Sequence, residues 1–281
     1  GVSLYGSVSQ CPEAEFESRH LGLTLPGEQE RLRERIEALA GRMSSCVDID
    51  GLLELADGTS LMERDRGKKP SETLVKPAGT AKRVRRIAIA RDEAFCFYYE
   101  ENLELLKKEG WELIPFSPLH DEGLPCGISA ILLGGGYPEK YARELSENCG
   151  MMEQIRRASV QGIKILAECG GFLYLHRSLE GMDGKNYPMA GLIQADGYRT
   201  ESLSRFGYVV LYDQEGRMVA RGHEFHYWDS TMPGDSLKAV KPLSLRKWDC
   251  MYVTDKMIAG FPHLYYGGNP EWVLEFLESG R

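Results

Sequence analysis

Apolar positions fall into short runs and helical stripes that alternate along most of the chain. Residues 86–90, 112–116, 128–133 and 164–167 are short apolar runs of the kind that form buried strands. Between them Tyr99, Leu103 and Leu106, and later Met152, Ile155 and Ala158, recur at helical spacing. Strand, helix, strand, helix predicts an α/β domain with a mostly parallel sheet flanked by helices on both faces. Beyond residue 190 the segments become β-rich, at 208–212, 224–228 and 251–254. The chain closes on Asn269-Pro270 ahead of 271–277, where Asn as cap and Pro at the first helical position predict a last helix.

The first 57 residues read differently. A strand-like start at 2–8 leads through a loop with Pro12 to a charged segment in which Leu32, Ile36 and Leu39 mark a helix. A second short helix is predicted at 48–56, with Asp48 as its cap. Residues 58–84 turn to Gly, Lys, Pro, Thr and Ser, which predicts a linker between 1–57 and 85–281. Its end carries Lys82, Arg83, Arg85 and Arg86, a basic run short enough to read as a solvated linker end and not a binding patch.

Charge and composition then narrow the function classes. A formal net charge of −8 gives no global attraction for a polyanion, so no nucleic-acid partner is expected. No stretch reaches the roughly 18 apolar residues of a membrane span, and no secretory leader pattern opens the chain, so it reads as cytoplasmic with no membrane partner. The seven cysteines contain no C-x-x-C pair and suit free thiols in a reducing compartment, with neither a disulfide framework nor a zinc site.

The sharpest chemical signal is Ile165-Leu166-Ala167-Glu168-Cys169-Gly170-Gly171-Phe172-Leu173. An apolar strand running through small-x-Cys-Gly-Gly into an apolar helix has the form of a nucleophile elbow, in which small neighbours let strand and helix approach and the next backbone N–H faces a developing oxyanion. A buried structural cysteine beside a Gly-Gly turn fits the same residues, and the local pattern leaves both open. A second signal, Leu133-Gly134-Gly135-Gly136-Tyr137-Pro138-Glu139, is a buried strand ending in bare backbone amides; it has neither the G-x-G-x-x-G nor the Walker spacing, and a plain sharp turn fits it as well. Among the six histidines, His20 lies in the first region, His120 in a Pro-rich loop, and His176 two helical turns past the elbow on the same helix. His223 and His226 look like a metal pair, but their spacing splits them across the faces of a strand, so no metal is expected. His263 follows an apolar strand and precedes the last helix, and can meet Cys169 only through the fold.

Taken together, Gly134-Gly135-Gly136-Tyr137-Pro138-Glu139, Ala167-Glu168-Cys169-Gly170-Gly171, Gly222-His223-Glu224-Phe225-His226-Tyr227 and His263 with Asn269-Pro270 make the chain resemble the cobyrinic acid a,c-diamide synthase family. The resemblance implies a class I-type glutamine amidotransferase fold over 85–281, with Cys169 as glutaminase nucleophile and His263 as its base. Gly135, Gly136 and Gly170 are then candidates for oxyanion and glutamine contacts, and Tyr137, Glu139, His223, Glu224 and His226 for support of the site; for the last three a scaffold role is preferred. Glutamine is the implied amide donor. ATP and Mg²⁺ are expected for the full-length enzyme, where cobyrinic acid or a related tetrapyrrole is the acceptor, and not for this chain alone.

Residues 1–57, through Ser18-Arg19-His20-Leu21-Gly22-Leu23, resemble the closing portion of the family's dethiobiotin-synthetase-like ATP domain. That domain normally begins with a phosphate-binding loop, and no G-x-x-x-x-G-K-[ST] occurs here, so the chain is expected to be a fragment with a small remnant of a second α/β domain. A cut domain edge makes a homodimer an expectation as well. Tyr265 stands where triad amidotransferases carry a glutamate, which implies a Cys–His dyad. Rival readings are a relative acting on nickel-sirohydrochlorin, a silent docking module, and a general cysteine hydrolase.

Overall fold

The computed structural model describes residues 2–15, 18–19, 22–23, 29–58 and 85–279. The chain divides into two compact units, Gly1–Ala81 and Lys82–Arg281. Most of the predicted linker, with Lys82 and Arg83, lies outside the described residues, as does His20.

In the first unit β1 (Ser18–Arg19) and β2 (Gly22–Leu23) pair antiparallel, followed by α1 (Leu32–Cys46) and α2 (Ile49–Gly58). Asp48 caps α2 as predicted: its Oδ1 accepts the Gly51 N–H at 2.9 Å, satisfying one of the amides a helix start leaves unpaired. The strand predicted at 2–8 does not form. Val2 and Leu4 are exposed, and among the described residues the segment makes one isolated bridge, Gly6 to Val47, because apolar alternation builds a strand only beside a partner edge. Neither α1 nor α2 buries a residue.

The second unit begins with β3 (Arg85–Ala90), β4 (Phe95–Phe97), α3 (Glu100–Lys108), β5 (Trp111–Phe116), β6 (Ala130–Leu133) and β7 (Gly135–Gly136). Then come α4 (Ala142–Glu147), α5 (Cys149–Val160), β8 (Lys164–Glu168) and α6 (Gly170–Tyr174). The β-rich part holds β9 (His176–Glu180), β10 (Asn186–Pro188), β11 (Ile193–Arg199), β12 (Arg205–Tyr212), β13 (Met218–His226) and β14 (Trp228–Ser230). It continues with β15 (Leu237–Val240), β16 (Lys247–Cys250), β17 (Tyr252–Val253), β18 (Met257–Gly260) and β19 (His263–Leu264), before α7 (Pro270–Glu278).

The central sheet has the order β17-β18-β8-β6-β3-β5 and is parallel throughout except for β17. Its strands alternate between two cores, as the two-residue period of a strand requires. Ala88, Ile131, Leu133, Ile165 and Ala167 face α5 and α6, with Met151, Ile155 and Phe172. Ile87, Ile89, Leu132, Leu166 and Ile258 face α3 and α7, with Leu103, Leu106, Val273 and Phe276. That second core also takes Val209, Leu211 and Ala220 from an antiparallel sheet of order β16-β15-β12-β13-β19. The predicted α/β layering therefore holds, with the β-rich half supplying part of one covering face. Four neighbouring strands, β3, β6, β8 and β18, end along the same carboxyl edge, where ligands of open α/β sheets bind.

Three local expectations change. Helix α6 stops at Tyr174, so His176 opens β9 and is not on the helix of the elbow; its Nδ1–H donates to the Phe172 carbonyl at 2.8 Å and its Nε2 accepts from the Ser230 hydroxyl at 2.6 Å. Asn269 precedes α7 without capping it, because its amide donates to the Val219 carbonyl at 3.0 Å. Arg85 and Arg86 belong to β3 and not to a solvated end: Arg85 pairs with Glu278, and Arg86 with Glu112 at 2.8 Å.

Candidate active site

Cys169 occupies the turn between β8 and α6 with φ 49° and ψ −102°, a conformation that costs a non-glycine residue about 1–3 kcal/mol and persists only where its surroundings enforce it. Those surroundings are visible. The Cys169 N–H donates to the Gly260 carbonyl of β18 at 2.8 Å, and the Gly171 N–H donates to Gly134 at 2.9 Å. A Cβ at Gly171 would collide with the Leu133 carbonyl, so strand and helix can approach only because that position is bare. This is the elbow geometry the sequence proposed. The thiol is buried, and the Gly170 N–H reaches it. Burial pushes the thiol up, with Glu139, then Glu224, then Glu168 adding to the effect, so the sulfur rests as a thiol and needs a base.

The glycine segment lies alongside. Gly135 and Gly136 form β7 and pair with Phe97 and Phe95 of β4. The Gly134 N–H donates to the Tyr98 hydroxyl at 2.9 Å, and that hydroxyl donates onward to the Ala90 carbonyl. A Cβ at Gly170 would come within 3.1 Å of the Gly136 nitrogen, and a Cβ at Gly135 would strike the His263 ring. Bare backbone thus passes between the elbow and the histidine, bringing Gly135, Gly136 and Gly170 together. Glu139 is buried in the turn that follows, and burial pushes its carboxyl up to about 7. Tyr137 opens that turn, its ring 5.5 Å from the Lys140 ammonium.

His263 sits on β19 opposite His223 of β13, with its ring edge-on to Phe97 at 4.6 Å. Burial, followed by the charges of His223 and His226, pushes its pKa down to about 3, so it is a neutral imidazole at ordinary pH. Its Nδ1 is buried without a hydrogen-bond partner, and Glu168 Oε2 lies 4.0 Å away.

As predicted, His223 and His226 fall on opposite faces of β13. His226 is buried and stacked 3.9 Å from Phe261, its Nδ1–H donating to the Trp228 carbonyl at 2.7 Å and its Nε2 3.4 Å from Glu224 Oε2. Glu224 also accepts the Trp248 indole N–H at 3.3 Å. His223 faces Tyr208 at 5.4 Å on the other side. Among the described residues no three metal-ligating side chains converge.

Four residues of the site escaped the sequence reading as contributors. Tyr266 donates to Glu168 Oε1 at 3.2 Å, and Tyr98 holds the glycine segment. Asn102 clamps the histidine segment to α3, donating to the Leu264 carbonyl at 2.7 Å and accepting the Tyr266 N–H at 2.9 Å. Glu168 was read as part of the elbow but given no task. Asn102 carried a signal: it shares the apolar stripe of Tyr99, Leu103 and Leu106, and an amide on a buried face requires specific partners.

A strained cysteine at a strand-to-helix turn, the Gly170 N–H on its sulfur and a buried neutral imidazole beyond the glycine segment make up the candidate site of this α/β domain, a set of groups that suits acyl transfer through a thioester. Within that class, the chain belongs to the CobB/CobQ-like glutamine amidotransferase domain family, whose model matches residues 86–269. Curated proteins named cobyrinate a,c-diamide synthase are similar over almost the whole chain. The one from Caldanaerobacter subterraneus subsp. tengcongensis is 37% identical over 99% of this chain, that from Fusobacterium nucleatum 36% over 98%, and that from Salmonella typhimurium 34% over 100%. This chain spans 61%, 63% and 61% of their respective lengths. A crystal structure of a glutamine amidotransferase is similar over 68% of this chain and 97% of its own, at 18% identity and a TM-score of 0.48.

Proposed function

We propose that residues 85–281 hydrolyse glutamine and supply its ammonia for amidation of a tetrapyrrole carboxylate. The observation that carries this is the Cys169 elbow, with the Gly170 N–H on its sulfur, in a domain of a glutamine amidotransferase family. His263 takes the thiol proton, the thiolate attacks the side-chain carbonyl of glutamine, and backbone N–H groups of Gly135, Gly136 and Gly170 hold the oxyanion. His263 then protonates the departing ammonia, and water releases glutamate from the thioester. Glu139 lines the site beside the thiol. Glu224 and His226 support it from β13, through the stack on Phe261.

In the whole protein, the relatives' name supports cobyrinate as acceptor, amidated at its a and c carboxylates in cobalamin biosynthesis. Activating those carboxylates with ATP and Mg²⁺ falls, in this reading, to the synthetase part of the whole protein, to which residues 1–57 belong by their resemblance. The test is mass-spectrometric mapping after exposure to a glutamine-mimicking diazoketone. A single adduct on Cys169, absent in Cys169→Ser and strongly slowed in His263→Ala, is the expected result. An unmodified Cys169 in a chain whose other thiols still alkylate would end the glutaminase reading.

A further inference from the structure

We infer that the site is a triad whose third member is Glu168, a positioning residue that orients His263 through Nδ1 and stabilises its cation. This rests on the glutaminase reading for its chemistry, but its geometry stands on its own. The imidazole has one nitrogen for the thiol proton, and the other is buried without a partner. A buried polar atom left unsatisfied is costly, so an acceptor within a short movement is significant. Glu168 Oε2 is that acceptor, 4.0 Å from Nδ1. The separation exceeds a hydrogen bond, and catalytic contacts are commonly long before substrate binds. The other carboxylate oxygen is committed to the Tyr266 hydroxyl at 3.2 Å, which leaves Oε2 facing the ring. The residue two places beyond the histidine, Tyr265, is 46% exposed and supplies no acid.

The register explains how neighbouring residues take both tasks. Glu168 pairs with Gly260 at the end of β8, and its carboxyl meets Tyr266 and the His263 ring, both on the segment that follows β18, while Cys169 takes the strained turn one residue on. Among the carboxylates that push the thiol up, Glu168 comes after Glu139 and Glu224. In the step itself the Sγ–H bond breaks, the proton goes to Nε2, the electron pair stays on sulfur, and Nδ1–H donates to the ionised Glu168. No further reactant is needed. The titratable groups around the pair are Cys169 beside Glu168, Tyr98 and Tyr99 ahead of α3, His223 and His226 on β13, and Tyr266, with Glu139 and Glu224 facing the thiol. Burial holds Glu168 protonated up to about 8, against which the Tyr266 hydroxyl and the Leu264 N–H act. The ionised, productive form therefore grows as pH rises through that value.

The test uses the full chain as wild type, Glu168→Gln, Glu168→Ala and Tyr266→Phe. Two quantities are read: the iodoacetamide alkylation rate of Cys169 between about pH 6 and 10, by peptide mass mapping, and the kcat and KM for glutamine hydrolysis. Wild type should show a step in alkylation near the Glu168 titration. Glu168→Gln should lose the step and roughly 10²-fold in kcat with little change in KM. Glu168→Ala should lose more, because the Gln amide oxygen still accepts from Nδ1–H. Tyr266→Phe, which keeps the carboxyl, should move the step to higher pH. If the Glu168 variants do not fold, Tyr266→Phe decides. Identical steps and rates in wild type and variants overturn the triad. A Glu168-dependent step without glutamine hydrolysis sinks only the glutaminase reading, and hydrolysis by wild type without the step sinks only the triad.

Discussion

Two side chains of the candidate site owe their chemistry to what surrounds them more than to what they are. Glu168 is pushed from 4.5 up to about 8 and His263 from 6.5 down to about 3, burial being the first cause in both. The signs differ in their effect on stability. A carboxyl raised on folding contributes fully below its unfolded value and loses that contribution as pH rises through the folded one; a histidine depressed on folding withdraws stability as pH falls below its unfolded value. Thermal melts should therefore be strongest at mildly acid pH and weaken below about pH 4.5 and again up to about pH 8, and Glu168→Gln should flatten the second loss. Parallel losses in wild type and variant would show that Glu168 does not titrate as described. Gly135→Ala, whose new methyl meets the His263 ring, is expected to cost about 1–3 kcal/mol of stability and most of the glutaminase rate. Chemical denaturation and a glutamine assay check the two halves separately. Cys169 and the bare positions around it were legible because a strained turn restricts residue type. Glu168 was not, since nothing in an apolar strand says which partner a terminal carboxylate meets, and that partner comes from β19, far along the chain.

Elements were readable where one period persisted. Strands β3, β6 and β8 and helices α3 and α5 carry unbroken apolar patterns, and each forms close to its expected place. The failures have local causes. Residues 2–8 alternate without a partner edge. Helix α6 is ended by the pairing of β9 with β11, a contact set by residues that follow it. The elbow depends on two elements approaching closely, so Gly171→Ala should act at that scale: the added methyl meets the backbone carbonyl of Leu133, which cannot rotate away as a side chain would. A loss of about 3 kcal/mol or more is expected, with reduced Cys169 labelling, measured by urea unfolding and diazoketone trapping. A variant that melts like wild type would mean that strand and helix are less tightly set than drawn.

At the scale of the molecule, both apolar cores are built from residues between Ile87 and Leu277, whereas α1 and α2 bury nothing. A chain of residues 82–281 is therefore expected to fold alone with a cooperative transition, and residues 1–81 alone are expected to melt without one; calorimetry of the two pieces checks this. The division into a β-rich half and a parallel half was evident from the change of pattern after residue 190. How the antiparallel sheet covers the parallel one was not, because the strands that bring Val209 and Ala220 into one core with Leu132 and Ile258 are joined by contacts no local pattern encodes. One consequence of that cover is optical. Trp248, on β16 of the antiparallel sheet, donates its indole N–H to Glu224, whose charge acts on the Cys169 thiol. Trp228 is tied instead to the Glu180 carbonyl. A group arriving on Cys169 is therefore expected to shift the emission of Trp248, a change that Trp248→Phe would remove, which would make the indole an internal reporter of what happens at that sulfur.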